Sequence, residues 1–155
     1  MHDTVGTANG RTNTKGMAVL SDVFGVDVLA VPVPYHMHIL HLKSLMTWID
    51  GHTVVTWDHD CAKQALKHMN ESIQNMNSSL PKIEALFVPD LAIANVVRVN
   101  DTVFISEGFP ESEAVIERAM HNKNIDPNLR IVAVDNSELR KCDSALSCLS
   151  VLLSV

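Results

Sequence analysis

The sequence predicts a modular α/β fold built from repeated strand–hairpin–helix units. Three observations predict it. Short apolar, β-branched runs alternate with amphipathic stretches of helical spacing, the mark of mixed α/β structure. Two strand pairs flank tight-turn dipeptides, Asp50-Gly51 and Asn100-Asp101. The series of elements that begins near Ile39 begins again near Ile83, and strand and short helix restart near Ile131, at intervals of 44 and 48 residues. Units of that size cannot bury a sheet alone and must stack on one another.

In chain order, Gly16–Phe24 carries Met17, Leu20 and Phe24 at helical spacing, and Gly25 can end that helix. Val26–Val33 is apolar and β-branched, a buried strand that runs into a loop at Pro32 and Pro34. Leu40–Ile49 and His52–Trp57 make a hairpin around Asp50-Gly51. Asp58 is set to cap a helix over His59–Glu71, with Ala62, Ala65, Leu66 and Met69 inward and the lysines outward. Asn75–Pro81 is a polar loop and Ile83–Pro89 a strand. Asn95–Asn100 and Thr102–Ser106 form the second hairpin. Pro110 opens a helix whose first turn holds Glu111 and Glu113, where the helix dipole favours negative charge. Val115, Ile116, Ala119 and Met120 form its buried stripe. Arg130–Val134 is a third strand, Asn136 or Ser137 caps a short helical turn, and Leu149–Leu153 closes the chain as an apolar strand. The whole reads as a single α/β domain, 1–155, with a polar N-terminal segment, 1–15, whose composition suits disorder.

Composition excludes several classes. A net charge of −6 argues against nucleic-acid binding, which needs a basic face, and slightly favours a cationic small substrate. The longest apolar stretch, Ala145–Val155, is too short to span a membrane, and the N-terminus lacks the apolar core of a signal peptide. Three cysteines without a CxxC motif fit free thiols in a reducing compartment, so the expected location is the cytoplasm. No phosphate-binding or dinucleotide-binding glycine motif occurs, and no cofactor is expected.

Three features can carry chemistry. Cys148, in Ala-Leu-Ser-Cys-Leu-Ser-Val-Leu, is either a buried core thiol or a nucleophile at a strand entrance, and the flanking Ser147 and Ser150 weigh against a dry core. Asp143, five residues upstream, either orients a substrate or caps a turn. His36, His38 and His41 form H-x-H-x-x-H, which invites a zinc reading. In extended chain, however, His36 and His38 share a face that His41 does not, so no metal site is expected. His41 alone is the better candidate, as a general acid/base or as a hydrogen-bonded structural histidine. Arg11 sits in a polar Gly/Asn loop, either solvated or forming a fork for a carboxylate.

Taken together, Arg11-Thr-Asn with Lys15-Gly16, Val31-Pro-Val, Leu40-His41-Leu-Lys-Ser44, Val88-Pro-Asp90, Ala94-Asn95, Pro110-Glu-Ser112, Ser137-Glu-Leu139 and Leu146-Ser-Cys148-Leu-Ser-Val151 resemble the dimethylarginine dimethylaminohydrolase family of guanidino-group-modifying (pentein) enzymes. The resemblance runs from about Val5 to the C-terminus and matches the family's C-terminal portion. It implies a partial pentein-type α/β propeller of ββαβ modules, about three of five blades. The reaction it implies hydrolyses asymmetric dimethylarginine to citrulline and dimethylamine. Cys148 then corresponds to the nucleophile and His41 to the proton donor. Arg11 matches the residue holding the substrate carboxylate. The Cys142 backbone carbonyl and Asp143 are expected at the substrate.

An alternative accompanies this. The acidic residues with which the family grips guanidinium nitrogens have no match here, so the chain can also be an inactive truncated member acting as a binding or assembly module. An open ring exposes apolar sheet faces and edges, which implies self-association.

Overall fold

The computed structural model describes residues 14–24, 41–75, 81–122 and 124–151. The strand expected over Val26–Val33, and with it Arg11, His36 and His38, lies outside them. The chain divides into two compact units, Met1–Leu42 with His59–Ile83, and Lys43–Asp58 with Glu84–Val155.

In the first unit, α1 (Thr14–Phe24) is the expected N-terminal helix, with Val19 and Val23 exposed. The helix α3 (Asp60–Asn75) buries Ala62, Ala65 and Met69 as the spacing predicts, and adds Asn70 and Ile73 to that face. It begins one residue later than expected and runs four further. The His59 carbonyl accepts the amides of Ala62 and Lys63, each at 3.0 Å, and its imidazole Nδ1 accepts the Cys61 amide at 3.3 Å. His59 thus satisfies three of the amide donors that the first turn of a helix leaves open.

The second unit holds all six described strands. A short helical turn, α2 (Leu42–Leu45), leads into β1 (Met46–Trp48), which pairs antiparallel with β2 (Thr53–Trp57). After α3 the chain returns as β3 (Glu84–Val88), parallel to β2. The second series repeats the first. The strands β4 (Val97–Val99) and β5 (Thr102–Ser106) form a hairpin, α4 (Pro110–His121) follows, and β6 (Arg130–Val134) runs parallel to β5. Each series gives one three-stranded sheet, ordered β1-β2-β3 and β4-β5-β6, and each reads ββαβ. Among the described residues the strands form these two sheets and no closed ring.

Local chemistry explains both hairpins. Asp50 Oδ1 accepts the amides of His52 at 3.1 Å and Thr53 at 2.8 Å, closing the first turn around Gly51. Asn100 takes the left-handed backbone conformation, φ 54°, that lets the second close tightly. The first strand of the first hairpin is shorter than its apolar run. Leu42–Leu45 coils instead, and its carbonyls are taken by side chains, Leu45 by Thr56 Oγ1 at 3.2 Å and Lys43 by Asn95 Nδ2 at 2.6 Å.

Ile49, Val55, Val88, Ile93, Val103, Ile105 and Ile116 are fully buried in one cluster, with Trp57, Leu86, Phe109, Val115, Met120 and Ile131 packed on it. Each such aliphatic side chain contributes about 1.5–3 kcal/mol by leaving water. Arg98 ties the two hairpins through the Ile49 and Asn100 carbonyls, at 2.9 and 2.8 Å, and pairs with Asp126 at 3.5 Å.

The C-terminal region departs from expectation twice. The turn of helix α5 (Ser137–Arg140) is capped by neither Asn136 nor Ser137. Asp135 accepts the Ser137 amide at 2.9 Å, while the buried Asn136 amide makes no hydrogen bond. Of the strand expected over Leu149–Leu153, Leu149 instead closes a 3₁₀ turn, and residues 152 and 153 lie outside the described residues. Leu146–Leu149 form a 3₁₀ turn with only Leu146 buried, and Ser150 is extended but unpaired with any sheet. Ser150 Oγ donates to the Leu146 carbonyl at 2.7 Å, which closes the turn on itself.

Candidate active site

The 3₁₀ turn places Cys148 at the surface, with its backbone amide bonded to the Ala145 carbonyl at 2.9 Å. The thiol is therefore not a core residue. The chain reaches this turn from α5 through a reversal at Asp143, which has φ 54°. There the Ser144 amide donates to the Leu139 carbonyl at 3.3 Å and the Asp143 amide to that of Arg140 at 3.1 Å. Those two bonds around a left-handed residue are the Schellman helix stop. Cys142 and Asp143 are both exposed on it. Arg140, at the end of α5, lies over the Phe109 ring at 4.8 Å from its centre.

One buried side chain fixes the Cys148 turn. Asn95, 2% exposed, accepts the Ser147 amide on Oδ1 at 2.9 Å. Its Nδ2 donates to Ser147 Oγ at 2.8 Å and to the Lys43 carbonyl at 2.6 Å. The residues around Asn95 are held in turn. Thr47 Oγ1 donates to the Ala94 carbonyl at 2.7 Å and accepts the Val96 amide at 2.8 Å. Upstream, Asp90 and Ser112 lock the entry to the short 3₁₀ turn Leu91–Ala94, with Ser112 Oγ donating to Oδ2 at 2.8 Å and accepting the Asp90 amide at 3.1 Å.

Sequence reasoning gave Asn95 no role. The available signal was an amide in the apolar run Ile93-Ala94-Asn95-Val96-Val97, since a buried amide must find partners. Its three partners lie 52 residues away on either side.

His41 lies in the first unit, half-buried in the bend before α2. The same unit holds a thiol–imidazole pair that the sequence reading passed over, with Cys61 Sγ 3.1 Å from His59 Nδ1. Burial pushes the Cys61 thiol pKa up, and the neighbouring Asp60 charge adds to the shift. That thiol is held protonated, the opposite of what a nucleophile needs. Asp135 has a lowered pKa, chiefly because its carboxylate accepts the Ser137 amide. Among the described residues no group of three or more His, Cys, Asp or Glu side chains is placed to hold a metal ion, and no helix is long and apolar enough to cross a membrane.

No family model matches the chain. A curated dimethylarginine dimethylaminohydrolase from Pseudomonas aeruginosa is 24% identical over 143 residues, which are 92% of this chain and 48% of that protein. The chain thus spans about half the length of the curated relative it matches, in keeping with the partial coverage expected from the sequence. The solved structure of a Pseudomonas aeruginosa dimethylarginine dimethylaminohydrolase with citrulline superposes with a TM-score of 0.65 at 21% identity, covering 94% of this chain and 49% of that one. The N-terminal domain of a cyanobacterial arginine dihydrolase gives 0.66 at 14% identity, covering 96% and 50%. An inosamine-phosphate amidinotransferase from Streptomyces griseus gives 0.64 at 12%, covering 96% and 42%. The ββαβ order found twice here is thus part of an α/β pentein fold. By sequence the chain is similar to a dimethylarginine dimethylaminohydrolase, and its fold is that of the pentein enzymes.

Proposed function

We propose that the chain carries the nucleophile and the proton-transfer residue of a guanidino-group hydrolase that converts asymmetric dimethylarginine and water to citrulline and dimethylamine. The observation that carries this reading is the surface thiol of Cys148 on a turn pinned by a buried amide, in a chain matched along 92% of its length by a dimethylarginine dimethylaminohydrolase.

A guanidinium is resonance-stabilised and resists direct attack by water, so a covalent route divides the barrier. In this reading the Cys148 thiolate bonds to the guanidinium carbon. His41 gives its proton to the dimethylamino nitrogen, and the C–N bond breaks to leave a thiouronium on Cys148. His41, now neutral, takes a proton from water as the oxygen attacks the same carbon. The C–S bond breaks, returning the thiolate, and the new hydroxyl gives its proton to solvent as citrulline is released. Arg11 holds the α-carboxylate, and the Cys142 carbonyl and Asp143 line the substrate. No cofactor is required. The two ββαβ sheets, with the segment from α5 onward, are read as about three blades of a five-bladed ring. The free thiols agree with a cytoplasmic setting.

The test is citrulline release from asymmetric dimethylarginine by wild type, Cys148→Ser and His41→Ala. Loss of at least about a hundredfold in each variant is expected. Release that Cys148→Ser leaves untouched removes the nucleophile assignment.

A second reading, an inactive binding or assembly module, draws on the exposure of Leu149 and Val151, 51% and 85%. It predicts an oligomer in sedimentation together with no citrulline release, and an active monomer would rule it out.

A further inference from the structure

We propose that Asn95 is the positioning residue for Cys148: it fixes the turn bearing the thiol to the backbone of Lys43. The role rests on Cys148 being the nucleophile. The geometry that carries it lies within one compact unit.

The amide uses both of its ends. A backbone N–H, that of Ser147, needs an acceptor and meets Oδ1 at 2.9 Å. A backbone carbonyl, that of Lys43, needs a donor and meets Nδ2 at 2.6 Å. These two partners fix which end of the amide is which. The second Nδ2 hydrogen reaches Ser147 Oγ at 2.8 Å. Asparagine therefore bridges the residue beside the nucleophile to a residue that follows His41 by two in the chain. Asn95 itself is 2% exposed, so its amide depends on these partners rather than on water.

The requirement is narrow. Aspartate keeps the acceptor but sets a second oxygen against the Lys43 carbonyl, alanine removes the partner of the Ser147 amide, the Ser147 hydroxyl and the Lys43 carbonyl together, and glutamine is too long by a methylene. The anchor itself is rigid, because Thr47 holds the carbonyl before Asn95 and the amide after it. A nucleophile must sit within a few tenths of an ångström of its attack geometry, and a displacement near 1 Å costs about a hundredfold in rate.

The experiment compares wild type with Asn95→Ala, Asn95→Asp and Ser147→Ala by three measurements. Hydrogen exchange reads the Ser147 amide. Iodoacetamide labelling, mapped by peptide mass, reads Cys148 with Cys142 of the same sample as control. Citrulline release gives kcat and KM. In Asn95→Ala the Ser147 amide should exchange on the order of tenfold faster. Cys148 labelling should shift at least about threefold while Cys142 holds, and kcat should fall roughly 10- to 100-fold with KM little changed. Asn95→Asp should retain Ser147 amide protection yet lose kcat, because Oδ1 still accepts that amide while the bond to the Lys43 carbonyl is lost. Should both Asn95 variants fail to fold, Ser147→Ala removes one bond of the three and should shift Cys148 labelling and kcat in the same sense but less. Unchanged Cys148 labelling in a folded variant overturns the proposal, and so does an equal change at Cys142. Exchange and labelling need no substrate. An inactive wild type whose Cys148 labelling still responds would therefore remove the hydrolase reading and leave the clamp standing.

Discussion

Asn70 and Ile83 pair as two strand residues would: the Ile83 amide donates to Asn70 Oδ1 at 2.8 Å, and Asn70 Nδ2 donates back to the Ile83 carbonyl at 3.1 Å. A side chain on a helix thus satisfies both backbone groups of the residue that precedes β3. Both residues are buried, so neither backbone group has water as a substitute. Asn70→Leu keeps the volume and removes both bonds. It should lower unfolding free energy by about 2–4 kcal/mol, the cost of two unsatisfied buried groups, read as a drop in the urea midpoint.

Asp143 offers a test that separates backbone from charge. A non-glycine residue at φ 54° is strained by about 1 kcal/mol, less for aspartate than for most. Asp143→Gly should keep or raise stability, whereas Asp143→Ala should lose up to about 1 kcal/mol in the same urea titration. Equal loss of citrulline release in the two variants would assign the effect to the carboxylate. Loss only with alanine would assign it to the turn.

Asp135 predicts an acid sensitivity at α5. Its pKa is lower in the fold than in the unfolded chain, because the carboxylate accepts the Ser137 amide and gains from nearby Arg140. The stabilisation is therefore present above the ordinary aspartate value, about 3.9. It is lost as pH falls from there through the lower folded value. Amide exchange of Ser137 and Glu138, corrected for intrinsic rates, should show protection falling in that acid window. Asp135→Asn should show no such step.

Cys61 shifts the other way. Its folded pKa lies above the unfolded one, so its contribution to stability is present below the ordinary thiol range. It is lost as pH rises through the raised value. Half-buried against His59, it should be alkylated more slowly at pH 8 than the exposed Cys142 and Cys148. Its rate should still be rising above pH 9. A Cys61 rate equal to that of Cys142 across the range would contradict the burial argument.

Much of the architecture was legible because its signals are local. The Asp50-Gly51 turn, the Pro110 helix start, the stripe of Ile116 and Ala119 and the strand Arg130–Val134 each follow from neighbours in sequence. The misread cap of α5 has one cause. Asn136 and Ser137 were assigned from residue type, whereas the acceptor actually used lies at Asp135. Residue type says which groups can bond, and only the fold decides which are within reach.

By itself the sequence determined the order of elements and the repeated strand–hairpin–helix series, since periodicity and turn chemistry depend on near neighbours. It also singled out Cys148 as the residue to watch. Tertiary structure decided that this thiol lies at the surface of a turn rather than in a strand, and that Asn95 holds that turn. The physical reason is distance along the chain. Asn95 meets Lys43 and Ser147 across 52 residues in each direction, and no local propensity encodes a hydrogen bond that forms only once the sheets have brought its partners together.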